Sequence, residues 1–195
     1  MSRAPAPLAA LVVFGLALVA GLARAQVSPG PLAAAHADLD GATQCFRCHQ
    51  KDTGKVGMDR SCLDCHTEVA WMTSHHRGFH ARKTAQTCAS CHPDHGGRDF
   101  AMIAWEGGAP EKFDHREAGW TLEGKHTSLA CRDCHKPALH KSPAAALLRV
   151  KDPARSWLGL ETACVSCHKD PHAGSLGNDC TSCHTQKAWR PPPGL

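Results

Sequence analysis

The chain has 195 residues and a formal net charge of +4, of which Arg3 and Arg24 near its start supply two. It holds no tyrosine and only five phenylalanines and five tryptophans, too few large side chains for a conventional core at this length. So mild a positive balance is poor evidence for a nucleic-acid partner.

Met1 to Ala25 reads as a secretory leader. Arg3 supplies the positive start, Leu8 to Leu22 is apolar and uncharged, and Ala23-Arg24-Ala25 is a small-x-small cleavage site. The apolar run is shorter than the ~20 residues of a membrane span, which favours export and cleavage over a retained anchor. No second apolar run follows. The mature chain then begins near Gln26 and holds about 170 residues, one domain or two small ones.

Beyond Ser28-Pro29-Gly30-Pro31, the stretch Leu32 to Ala37 predicts a helical turn before the first of six copies of one word, C-x-x-C-H. The copies are Cys45, Cys48 and His49; Cys62, Cys65 and His66; Cys88, Cys91 and His92; Cys131, Cys134 and His135; Cys164, Cys167 and His168; and Cys180, Cys183 and His184. Lys51 to Met58, between the first two, reads as a glycine-bearing loop. The second and sixth words both continue as C-H-T-x-x-A-W, ending at Trp71 and Trp189, which marks an internal repeat. The longest gap lies between Cys88 and Cys131 and is rich in glycine. It suggests two halves, 26–105 and 106–195, with three words each. Pro143 to Val150 predicts a short helix with proline at its start. The final Arg190-Pro191-Pro192-Pro193 is expected to be extended and mobile.

All twelve cysteines fall inside the six words. Two thiols three residues apart, followed at once by histidine, suit covalent attachment of haem c. The thiols add to the two vinyl groups on one edge of the porphyrin, and the adjacent imidazole reaches the iron as an axial ligand. Zinc knuckles and redox dithiols also use C-x-x-C, but neither requires histidine directly after it. The expectation is six covalently attached haems. That resolves the shortage of core residues, because porphyrin faces become the core. The expected fold class is therefore mostly irregular, with short α-helices carrying the words and little or no β-sheet. Haem propionates add negative charge, which further weakens the case for nucleic acid.

Nine of the fifteen histidines lie outside the words: His36, His75, His76, His80, His95, His115, His126, His140 and His172. A spare histidine is ordinarily a surface residue. Here the number is high, and most sit at repeated offsets from a word. Methionine is the other common axial ligand, but Met58, Met72 and Met102 show no repeated placement.

The words His36-Ala37, Gly78-Phe79-His80-Ala81, Cys91-His92-Pro93-Asp94-His95-Gly96, Phe113-Asp114-His115, Gly124-Lys125-His126 and Asp170-Pro171-His172-Ala173-Gly174 resemble those of class III multihaem c-type cytochromes, the cytochrome c3 family. The resemblance covers nearly the whole mature chain. It implies that His36, His80, His95, His115, His126 and His172 are distal ligands, giving bis-histidine, low-spin, low-potential haems. His75, His76 and His140 are left over, with His75 or His76 as the substitute for any wrong choice. Which distal histidine serves which haem stays open.

The expected function is that of a periplasmic electron carrier in an anaerobic or respiratory chain, working by haem-to-haem hopping and not as an enzyme. The rival is a multihaem reductase of nitrite or a sulfur oxyanion, which needs one iron with a vacant position. Expected partners are redox proteins, a membrane quinol-oxidising complex or a terminal reductase, with no membrane span after leader cleavage. In longer relatives a further F-D-H word follows the last repeat. The sequence here closes at Leu195, so docking to further haem modules is also expected.

Overall fold

Each C-x-x-C-H word closes as a single helical turn. The motif histidine N–H donates to the carbonyl of the first cysteine in all six, at 2.8 Å for His49, His66, His168 and His184 and 2.9 Å for His92 and His135. Such a turn puts positions i, i+3 and i+4 on one face, so both thiols and the imidazole share a side. The local fold is thus written into the spacing of the word.

The computed structural model describes residues 29–50, 54–149 and 153–189. The expected leader and the proline-rich end fall outside these, in whole or nearly so. Among the described residues four α-helices occur, with 3-10 turns, loops and no strand, as expected for the class. They are α1 (Gly54–Cys65), α2 (Thr67–Ser74), α3 (Cys88–Cys91) and α4 (Cys131–Cys134). Helix α1 corrects the loop expected over Lys51 to Met58 for its part from Gly54 onward; 51–53 lie outside the described residues. The turn of the second word extends backwards, and Gly57 and Ser61, four apart, are both buried on one face. There the Ser61 hydroxyl donates to the Gly57 carbonyl, and Gln50 donates to Ser61 Oγ at 2.9 Å.

The turn predicted before the first word is the 3-10 helix Ala34–Leu39, and Pro143 opens the 3-10 helix Pro143–Leu147. The C-H-T-x-x-A-W repeat does not repeat in structure. Its first copy becomes α2, whereas in the second the Thr185 N–H donates to Ala188 O at 3.0 Å in a tight turn. The second copy is followed, after Arg190, by three prolines, a residue type that cannot continue a helix.

One small apolar cluster ties the chain together. Met72 of α2 is buried with Ala144 and Leu158, and Trp71, Ala145 and Leu148 pack around them. Ion pairs Arg77–Glu161 and Lys83–Glu117, both at 2.8 Å, run alongside. An aromatic bridge completes the junction: Phe79 meets Phe113 at 5.6 Å, Phe113 meets Trp105 at 5.9 Å, and Trp105 meets Trp157 at 5.1 Å, all edge-on. Edge-to-face packing at these separations is the favoured aromatic geometry.

Gly124 is needed where two distant segments meet. Its φ is +54°, and a Cβ there would overlap the Gln186 carbonyl. Gly177 also has a positive φ, +75°, but open space around it. Gly124→Ala is expected to lower the thermal unfolding midpoint of the holoprotein well beyond Gly177→Ala, with the second change costing about 1 kcal/mol from φ alone. Equal shifts would mean that the approach to Gln186 carries no weight.

Candidate functional site

The shared face of each helical turn meets one histidine from elsewhere in the chain. Numbering the sites by their words, His49 faces His95 at site I, with ring centroids 6.2 Å apart. His66 faces His36 at site II, 6.2 Å, and His92 faces His80 at site III, 6.1 Å. His135 faces His115 at site IV, 6.3 Å. His168 faces His126 at site V, 6.1 Å, and His184 faces His172 at site VI, 6.4 Å. The six motif histidines and the six histidines carried over from the family words therefore meet one to one. His75, His76 and His140 are in none of these pairs.

The separation has a chemical meaning. A metal sits about 2 Å from an imidazole nitrogen, and the ring centroid lies roughly 1 Å further out. Two imidazoles on opposite sides of one iron thus have centroids about 6 Å apart. Two stacked rings in direct contact would be nearer 4 Å, as Trp71 and His75 are at 4.0 Å. The space between each pair fits one iron. Among the described residues no group of three or more His, Cys, Asp or Glu is arranged to chelate a single ion; the histidines meet in twos.

Second partners fix which ring nitrogen faces inward. His92 Nδ1 donates to the Met102 carbonyl at 2.6 Å, His95 Nδ1 to Gly30 O at 2.8 Å, and His184 Nδ1 to Trp189 O. His36 Nδ1 donates to Asp94 Oδ2 at 2.8 Å and His66 Nδ1 to Glu68 Oε1 at 3.2 Å. A proton held on Nδ1 leaves Nε2 as the bare donor, the usual device at metal-binding histidines. His95 holds its place with a positive φ of 67°, a conformation that side-chain-bearing residues rarely adopt. Ligation needs neutral imidazole. Burial, followed by His115, His140 and Arg132, pushes His135 down to about 4. His80 is lowered by the loss of water around its ring and then by His92 and His66.

The cysteines are all unpaired. Burial and then the hydrogen bond to Asp59 push the Cys88 thiol up to about 12, and Cys48, Cys62, Cys134 and Cys180 are also raised, burial leading each time. Reactive dithiols and thiolate metal ligands need the opposite shift. These thiols also show the order of the sites. Cys62 touches Cys88, Cys164 touches Cys180, Cys48 lies in electrostatic range of Cys62, and Cys134 of Cys167. Sites I, II and III thus adjoin in sequence, as do IV, V and VI. The aromatic bridge spans III to IV, with Phe79 against His80 at 5.7 Å and Phe113 against His115 at 5.4 Å.

Open clefts lie at two of the sites. One is lined by Cys131, Cys134, His135 and His115, and one by Cys180, Cys183, His184 and His172. The spare residues are otherwise engaged. Met72 is buried in the core, His75 is stacked on Trp71, and His140 lies half-buried beside Arg132. Arg132 caps the Trp157 ring at 3.9 Å and donates to Ser156 O at 2.9 Å, which fastens the fourth word to the core.

Sequence reasoning missed Asp94, Glu68 and the aromatic bridge. Asp94 stands in the Cys91-His92-Pro93-Asp94-His95-Gly96 word, so its position was visible but its partner was not. Burial alone would raise its carboxyl; hydrogen bonds from the Ala33 amide, the His36 ring and the His95 amide outweigh that and hold it below the usual range.

Six attachment turns facing six histidines define a multihaem c-type cytochrome. Two family models match the chain, one described as cytochrome c7 and related cytochrome c over residues 112–185, the other as the class III cytochrome C family over residues 25–103. The chain is a multihaem electron-transfer cytochrome of the cytochrome c3 type and binds haem c covalently. No curated protein and no solved structure matches it.

Proposed function

We propose that the protein is a hexahaem electron carrier of the periplasm, with every iron held between two histidines. The observation that carries this reading is the set of six histidine pairs at 6.1–6.4 Å. Bound haem supplies one-electron chemistry. The chain's own groups do the rest. Cysteine pairs tether each cofactor edge, motif histidines close one face of the iron, and His36, His80, His95, His115, His126 and His172 close the other. Adjoining thiols and the Phe79–Phe113 bridge keep neighbouring sites in a series through two three-haem halves.

The leader-like first 25 residues support export, and among the described residues no helix is long and apolar enough to cross a membrane. Donor and acceptor are redox proteins, a quinol-oxidising membrane complex or a terminal reductase, and further haem modules could extend the series. Intact-mass measurement of the denatured protein is expected to give six haem additions. A reductive titration should take up six electrons per chain and exchange them with a dye, without consuming nitrite, hydroxylamine or sulfite. Four or fewer haems would overturn the site count, and turnover of any of these oxyanions or of hydroxylamine would favour the reductase.

A further inference from the structure

Among the described residues, site II differs from the other five in what its imidazoles lean on. His36 donates to the carboxylate of Asp94 and His66 to that of Glu68. Elsewhere Nδ1 leans on backbone carbonyls: Gly30 for His95 at site I, Met102 for His92 at site III and Trp189 for His184 at site VI. At site V His126 Nδ1 is buried without a hydrogen bond, and at site IV the polar neighbour of the His135 ring is the Leu158 backbone. Two other aspartates stand close to distal histidines, and neither reaches a ring. Asp114 beside His115 is held by the Arg116 guanidinium at 2.6 Å, and Asp170 spends its oxygens on the His172 and Gly174 amides.

We propose that site II has the lowest reduction potential of the six, set by Asp94 and Glu68 acting through His36 and His66; this rests on the bis-histidine reading above. A hydrogen bond to an anion is roughly twice as strong as one to a neutral acceptor. It draws the Nδ1 proton outward and makes Nε2 a better donor to the metal. Ferric iron carries one more positive charge than ferrous iron, so extra donation and nearby negative charge stabilise the oxidised state. Reduction at site II adds one electron from the reductant; no bond breaks, and the Nδ1 protons stay on their rings.

Geometry ranks the two carboxylates. Asp94 sits closer, and its side chain and that of His36 are 19% and 32% exposed. Glu68 is more buried at 10%, but its partner His66 is 51% exposed, so water screens that pair more. Asp94 also accepts the His95 amide at 2.7 Å through its other oxygen, which ties the distal ligand of site II to that of site I. Asp94 and Glu68 are positioning residues: they touch the ligands and not the iron. An electron placed on site II then runs to its neighbours, so site II is an internal donor and the last site to fill.

The test is a potentiometric titration of the holoprotein and of the isosteric variants Glu68→Gln and Asp94→Asn, with low-spin state followed by electron paramagnetic resonance. Glu68→Gln is expected to move the lowest of the six one-electron steps upward, to move site III by less because Glu68 lies in electrostatic range of His80, and to leave the others in place. Asp94→Asn should move the same step further and a second step by less, through His95. All six haems should stay low-spin in both. If the largest shift falls on a step other than the lowest, or none moves, the proposal is overturned while the bis-histidine reading stands. If either variant turns a haem high-spin, the carboxylate only holds its ligand in place, and tuning is overturned. A high-spin haem in the unmodified protein would overturn the bis-histidine reading itself, and this proposal with it.

Discussion

Carbon monoxide added to the reduced protein is expected to leave its spectrum unchanged, and His126→Ala is expected to create one binding site among six. His126 lies in the 3-10 turn Gly124–Ser128, its ring 6.1 Å from that of His168 and packed against Trp120 at 5.6 Å. A ligand held this way cannot drift off. Its effective concentration at the iron is set by the fold and reaches at least the millimolar range of a short tether, so an outside molecule must compete with it at every encounter. Alanine leaves the sixth position to water or carbon monoxide. One haem in six should become high-spin and bind one equivalent, while five keep their spectra. His80→Ala should behave alike at site III. His75→Ala and His76→Ala should change nothing, because His75 is stacked on Trp71 and both are exposed. Stoichiometric binding by the unmodified protein would mean a vacant iron and would move the assignment to the reductase. A high-spin haem on replacing His75 or His76, with none on replacing His80, would transfer the distal role to that residue.

The parts of the site that sequence reveals are those where covalent chemistry dictates spacing. Cysteines at i and i+3 with histidine at i+4 must share a helical face, and all six words close with the same hydrogen bond. The distal histidines were legible only through the short words around them. Their pairing was not, because it is a matter of long-range chain closure. His36 precedes the first word yet meets His66 of the second, and His95 follows the third word yet meets His49 of the first. Asp94 and His36 are likewise 58 residues apart. Local patterns failed where neighbours decided the outcome. Lys51 to Met58 looked like a loop by its glycines, but Gly57 faces inward on α1. The two C-H-T-x-x-A-W copies diverge because Met72 has a core to join and Trp189 has prolines after it.

Without haem the chain is expected not to fold at all. Among the described residues the buried apolar side chains are Leu32, Ala33, Met72, Ala144 and Leu158, two of them alanines. Burying Met72 or Leu158 contributes about 1.5–3 kcal/mol each, roughly what ordering two residues costs. The large apolar groups are instead turned outward in the polypeptide alone: Phe46 is 63% exposed, Leu176 70% and Trp189 50%. Leu176 and Trp189 line the cleft between His172 and His184, where a porphyrin would cover them. Ion pairs do not compensate, since exposed pairs such as Arg116–Asp114 and Lys187–Glu123 are screened by water and contribute little. Folding is then coupled to cofactor attachment, as in small metal-dependent domains. Replacing all twelve cysteines by alanine should give a chain with the circular dichroism and narrow amide dispersion of a disordered polypeptide. The paired change Cys131→Ala and Cys134→Ala should remove one haem, lower the unfolding temperature, and loosen the junction that Arg132 and Trp157 make with the core. A cysteine-free chain with dispersed amide signals and cooperative melting would show that Met72, Ala144 and Leu158 suffice as a nucleus, and that the haems are guests in a fold that stands without them.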